Sequence, residues 1–102
     1  MHAQVVRVLV QPGKLDEAMR IRGDSVVPLA RQQAGYRGGL AFVDRDSSRI
    51  TAVFLWETRA DLEAFAGSDL YQEQLRRVGP YLAGPPEREV CEVGLSEVVL
   101  QA

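Results

Sequence analysis

Gln4-Val5-Val6-Arg7-Val8-Leu9-Val10, closed by Gln11-Pro12-Gly13, is the stretch on which the fold turns. Its β-branched residues favour an extended chain, and the Pro-Gly pair that follows ends it in a turn. Alternation puts Val6, Val8 and Val10 on one face of the strand and Val5 and Leu9 on the other. A strand that is apolar on both faces needs a cover on each. One layer of helices supplies one cover. The second has to come from elsewhere.

Downstream, Leu15, Ala18, Met19, Val26, Leu29 and Ala30 recur at helical spacing, which predicts a helix from Lys14 to Gln33. Pro28 removes the hydrogen bond back to the Asp24 carbonyl, so a kink is expected there, and Gly35 ends the helix. Tyr36 to Arg45 and Ile50 to Glu57 read as two strands joined by a short polar turn, an antiparallel hairpin. Thr58-Arg59-Ala60-Asp61 resembles a capping box and opens a helix through Phe65. After Gly67, Ser68-Asp69 caps a second helical segment running towards Val78. Glu87 to Leu95 is expected to form the last strand, and Val98-Val99-Leu100 an apolar tail that could swap across an interface.

Strand, helix, hairpin, helix, strand is the ferredoxin-like βαββαβ order of an α+β fold, with both helices on one face of a four-stranded antiparallel sheet. The other face would be left apolar and open in a monomer. Such a patch usually marks an interface, so a homodimer packed through its sheet faces is expected.

Residues 1–102 leave room for a single domain with one core. A net charge of −2 with mixed signs gives no nucleic-acid stripe or polybasic membrane patch, and no apolar run spans a bilayer. The N-terminus lacks the zones of a signal peptide, and Cys91 is the lone cysteine, so a cytoplasmic setting is expected. His2 is the sole histidine, at what reads as a frayed end. A Ser-His-Asp triad, a Cys-His dyad or a His-rich metal centre would all hang on it. With no Asp-x-Asp-x-Asp-Gly loop either, neither a metal nor a cofactor is expected.

Phe54-Leu55-Trp56-Glu57-Thr58, then Leu62 and Phe65, then Gly67-Ser68-Asp69 and Tyr71, resembles the third-strand-to-helix signature of the antibiotic biosynthesis monooxygenase-like domains. These belong to the dimeric α/β-barrel superfamily. The resemblance runs from Gln4 to about Leu95, with Pro12-Gly13 and Ala34-Gly35-Tyr36 also in their usual places. It implies fold and dimer more than activity. The family includes cofactor-free oxygenases, haem-degrading enzymes, isomerases and members with no assigned reaction.

Two branches of that family can be compared residue by residue. The haem-degrading enzymes resemble one another in a strand-one Asn, a helix Trp and an iron-ligating His. Here those positions read about Val6, Phe65 and Leu75, so haem degradation is not expected. In the cofactor-free anthrone oxygenases the pocket tryptophan is matched by Trp56 and the helix arginine by Arg76. Their asparagine and tyrosine become Ala52 and Leu62, which removes groups that would polarise a carbonyl or relay a proton. By periodicity, Arg76 also faces solvent, opposite Tyr71, Leu75, Val78 and Leu82.

Substrate-binding candidates are Trp56, Arg22, Tyr36, Tyr71, Phe54 and Phe65; no catalytic residue is assigned. Trp56 shares a face with Ile50, Ala52 and Phe54, which the resemblance turns towards the helices and a pocket. The competing expectation is a core tryptophan whose N–H meets a backbone acceptor. Arg22 lies within the apolar stripe of the first helix, where a guanidinium could bind a carboxylate or enolate, or snorkel out beside the kink. Gln33 shares that stripe, as a second polar contact or a helix-end cap. Tyr36, Tyr71 and Tyr81 could each offer a phenol or simply pack. Arg7 is expected to bridge across the dimer interface to Glu57 or Glu92, Cys91 to be a small buried hydrophobe, and Asp44, Arg45 and Asp46 to be solvated turn residues.

Two functions fit these residues. One is a cofactor-independent monooxygenase-like enzyme acting on a small aromatic or enolisable metabolite, with Trp56 as platform and Arg22 as anion anchor. The other is a non-catalytic dimeric barrel that binds a small ligand or partner.

Overall fold

In the computed structural model, which describes residues 1–98, the chain forms a four-stranded antiparallel sheet covered on one face by helices. The strands are β1 (His2–Leu9), β2 (Tyr36–Asp44), β3 (Arg49–Trp56) and β4 (Glu87–Glu92), in the order β2-β3-β1-β4. The helices are α1 (Leu15–Ile21), α2 (Val27–Arg31), α3 (Arg59–Ala66) and α4 (Asp69–Val78). This is the ferredoxin-like α+β arrangement that the order of apolar runs implies.

The strand register sorts residues into two faces. Gly39, Phe54, Gln4 and Val90 form one row across the helix-covered face, and Ala41, Ala52, Val6 and Arg88 the next. On the opposite face Leu40, Val53 and Val5 line up, flanked by Leu55, Ala3 and Cys91 and by Phe42, Thr51 and Arg7. No helix among the described residues covers that second face. Phe42 is 55% exposed and Leu9 40%.

Thr58 caps α3 by accepting from the Asp61 N–H at 3.0 Å, while its own hydroxyl donates to the Asp61 carboxylate at 2.9 Å. Asp therefore stands in the box where Glu is usual, and it bonds the Thr hydroxyl in place of the Thr backbone. Gly35, at φ +81°, lies directly under Asp61, and a Cβ there would collide with that carboxylate. Ser68 caps α4 through the Tyr71 N–H at 3.2 Å.

Several expectations change. The first helix is not one α-helix running unbroken to Pro28. Arg22–Val26 widens into a π-helical turn, closed by the Val27 N–H on the Arg22 carbonyl, and α2 starts just ahead of the proline. The wider turn ends where Pro28 has no N–H to give, and Gly23 inside it accepts the change at little cost. His2 is not frayed but paired in β1, opposite Trp56 and Glu92. The last strand stops at Glu92, three residues short, and Leu95 is exposed. Within the chain, Arg7 pairs with Glu89 at 3.1 Å and Glu57 with Arg37 at 3.1 Å; the bridge expected across the interface belongs to the dimer. Cys91 is only half-buried and sits on the uncovered sheet face, because β4 is an edge strand. Of the apolar tail, Val98 is exposed, and Val99 and Leu100 lie outside the described residues. Among the described residues, no helix is long and apolar enough to cross a membrane.

Candidate functional site

Along β3 the inward side chains are Ile50, Ala52, Phe54 and Trp56. At the Trp56 end the layer between sheet and helices is full. Trp56 is 0% exposed and packs on Phe65 at 5.1 Å between ring centroids and on Tyr36 at 5.5 Å. Phe65 in turn meets Tyr71 at 4.8 Å, and Val26, Ala30 and Leu62 complete the cluster. The indole Nε1 finds no acceptor among the described residues, so the backbone contact expected of a core tryptophan is not made. Its position is a core position nonetheless.

Four residues earlier, at Ala52, the packing thins. Between Ala52 and Val6 on the sheet and Ala18, Val26, Leu75 and Val78 on the helices lies a cavity of about 50 Å³. Its walls are mostly apolar, but Arg22, Tyr71 and Gln74 also line it. On the far side of Arg22 a larger groove of about 330 Å³ runs between the π turn and the edge strand β2. Arg22, Phe54, Tyr36, Arg31, Gly38 and Gly39 all border it. Arg22 is thus the wall between the two spaces.

The guanidinium of Arg22 rests over the Phe54 ring, 4.7 Å from its centroid. It has no carboxylate partner among the described residues, and burial pulls it below the ordinary arginine value, opposed by the neighbouring Tyr71 and Tyr36. Arginine remains charged at neutral pH even so. The aromatic face takes one side of the ion, leaving N–H edges free for an oxyanion. Burial also raises the Tyr71 and Tyr36 phenols, and nearby arginines hold part of that rise back. Both are therefore protonated at neutral pH and can donate.

Tyr71 is oriented by a buried glutamine. Gln4, 1% exposed, donates from Nε2 to the Tyr71 hydroxyl at 3.0 Å. The hydroxyl's own proton has no acceptor among the described residues, and it is left for whatever occupies the cavity. Gln4 Oε1 and Gln74 Oε1 are both buried without a partner among those residues. Buried polar groups without partners are costly, and with Gln74 on the cavity wall, Gln4 bonded to Tyr71 and the Arg22 cation alongside, this space is a candidate for ligand binding.

Of the sequence candidates, Arg22 and Tyr71 meet at the inner cavity, and Arg22, Tyr36 and Phe54 meet at the groove. Trp56 and Phe65 line neither space. Tyr81 packs beside Val10 and Leu15, away from both. Gln33 caps its own helix through the Leu29 carbonyl at 3.2 Å, and Arg76 is exposed and bonded to Glu73 at 2.8 Å. Gln4 and Gln74 are new. Alternation puts Gln4 on the face of Val6 and Val8, and Gln74 falls in the Tyr71, Leu75, Val78 stripe, so both were signalled by polar residues at apolar positions.

Among the described residues, no group of three His, Cys, Asp or Glu side chains converges as a metal would require. The solved structures that resemble this one share its whole fold. A Bordetella bronchiseptica protein named as an antibiotic biosynthesis monooxygenase is 26% identical, with a TM-score of 0.80 over 92% of this chain and 97% of its own. A Nitrosomonas europaea protein of unknown function gives 0.78 at 18% identity, over 98% of this chain and 95% of its own. A mutant of SnoaB, a cofactor-independent oxygenase from Streptomyces nogalater, gives 0.79 at 12% identity, over 93% and 94%. No functionally curated protein matches the sequence. Residues 1–77 match the antibiotic biosynthesis monooxygenase family, which takes in β1 through most of α4 and all but the last of the site residues' supporting strands. The chain belongs to the antibiotic biosynthesis monooxygenase family.

Proposed function

We propose that the protein is a cofactor-independent oxygenase acting on a small aromatic or enolisable metabolite, with Arg22 as its oxyanion anchor. The observation that carries this reading is the half-buried guanidinium of Arg22, which has no carboxylate partner among the described residues, rests on Phe54 and shares its two spaces with Tyr71 and Tyr36. An arginine held in that setting stabilises the electron-rich anion of a phenol or enol. The anion supplies the electrons to dioxygen. At an activated methylene, one oxygen atom becomes the new carbonyl and the other leaves as water, carrying the two hydrogens of that carbon. Tyr36 and Tyr71, on either side of Arg22, are the phenols available to donate a proton to reduced oxygen.

Oxygen uptake with a panel of quinols and anthrone-like substrates, in chelator-treated buffer, tests the proposal. Consumption above the buffer rate is expected, and Arg22→Gln should lower it about 100-fold. An Arg22→Gln protein that folds and consumes oxygen at the original rate would refute the role of the anchor. A second reading, ligand binding without turnover, draws on Ala52 and Leu62. Neither brings a polar atom to the positions where the oxygenase resemblance has Asn and Tyr, and Leu62 is 0% exposed in the core. Thermal stabilisation by these compounds with no oxygen consumed would favour it.

We also propose a homodimer joined through the uncovered sheet faces. Phe42, Leu40, Val53, Leu55 and Leu9 give that face its apolar character, and Arg7–Glu89 a polar rim. Light scattering should give twice the chain mass, and Val53→Asp should halve it. A monomer mass for the unaltered protein at micromolar concentration would rule this out.

A further inference from the structure

The inner cavity, at about 50 Å³, is about a third of the roughly 150 Å³ void that accommodates benzene. No ring fits there as it stands. The groove on the other side of Arg22, at about 330 Å³, lies within the range of small-molecule sites. We propose that this groove, between the π turn and the edge strand β2, is the binding site for a flat ring carrying an oxyanion, gripped by Arg22 and Arg31 with the Tyr36 hydroxyl beside them. The inference rests on Arg22 as the anion anchor and adds which side of it the ring occupies.

Three features of the groove support this. Its border carries two arginines and no carboxylate, and among the described residues neither arginine has an ion-pair partner. By contrast Arg20, Arg37 and Arg45 nearby are each paired. Second, the β2 edge is shaped to stay open. A bulge between Tyr36 and Gly38, with Gly38 at φ +131°, re-aims the strand just where Tyr36 leaves it. At Gly39 a Cβ would lie 2.7 Å from the Val53 carbonyl and 2.8 Å from the Phe54 ring. Any side chain there would displace the ring on which Arg22 rests. Third, β2 is an edge strand, so half of its backbone groups face outward and are free to bond a ligand.

Amide and arginine side-chain NMR with salicylate and naphthoate as probes, and cyclohexanecarboxylate as the non-planar control, tests the assignment. Shifts are expected at Gly38, Gly39 and Leu40 and on the Arg22 and Arg31 side chains. Arg31→Gln, an exposed change that spares the core, should weaken salicylate about tenfold. Leu75→Phe, which fills the inner cavity instead, should leave its affinity within about twofold. Shifts centred on Val6, Val8 and Leu75, an unaltered affinity in Arg31→Gln, or equal binding of the non-planar acid would each overturn the inference. So would the absence of saturable binding at millimolar probe. Groove binding with no oxygen consumed from any quinol would sink the oxygenase reading and leave this one standing. Oxygen uptake that Arg31→Gln and salicylate both leave untouched would do the reverse.

Discussion

The two ends of the layer between sheet and helices are built from the same strands and differ in a single respect, the volume of the inward residues. At one end Phe54, Phe65, Tyr36 and Tyr71 interlock around Trp56, and neither the indole nor Phe65 borders the cavity or the groove. At the other, Ala52 on β3 stands beside Val6 on β1, and the helical layer above supplies Ala18 from α1 and Val26 from the π turn. Small residues from four elements meet, and the space they leave is where Arg22, Tyr71 and Gln74 project. The closed end holds the fold. The hollow end is lined by the Arg22 cation, the Tyr71 phenol and the unpartnered Gln74 amide oxygen.

The largest effect should follow from breaking the closed end. Trp56→Ala removes a fully buried indole from a cluster that cannot collapse, and a loss of about 3–5 kcal/mol is expected in urea unfolding. A cost below about 1 kcal/mol would mean that this end is not tightly packed.

A matched pair of smaller changes sharpens the contrast. Ala30, 0% exposed at the closed end, has no space for two more carbons, so Ala30→Val should cost about 1–3 kcal/mol, of which about half a kcal/mol is helix propensity. Ala52→Val points into the hollow and should be neutral within about 1 kcal/mol, or stabilising. Equal costs for the two would erase the distinction between the ends.

The smallest effect is one of pH. Tyr71 borders the hollow, Tyr36 the groove, and burial raises both phenols in the folded state. Each holds its proton to higher pH when folded than when unfolded. The stability this contributes is complete below about pH 10, the ordinary tyrosine value, and is lost as pH rises through the raised folded values. Denaturation curves across that range should show an alkaline decline that Tyr71→Phe reduces more than Tyr36→Phe, since Tyr71 is 4% exposed and Tyr36 only half-buried. A decline of the same size in all three proteins would remove the tyrosines as its cause.

Much of this was legible in the chain. The doubly apolar first strand, the hairpin and the two capped helices are each encoded locally, by β-branching, turn residues and side-chain oxygens within a few positions of the groups they cap. Arg22 was legible as well, a cation inside an apolar stripe. The sequence left Trp56 open between pocket and core because its partners, Phe65 and Tyr36, come from α3 and β2, and nothing beside Trp56 in the sequence shows that they fill the space. The π turn was read as a kink because the missing Pro28 bond can be absorbed in more than one way, and packing chooses between them.

The sequence by itself determined the order of elements, the faces of the strands and the apolar surface left uncovered, since each depends on residues a few places apart. Only the tertiary structure decided where the hollow lies and on which side of Arg22 a ring has room. A void is a difference between volumes contributed by Val6, Ala18, Ala52 and Leu75, which are distant in the chain and meet only after folding.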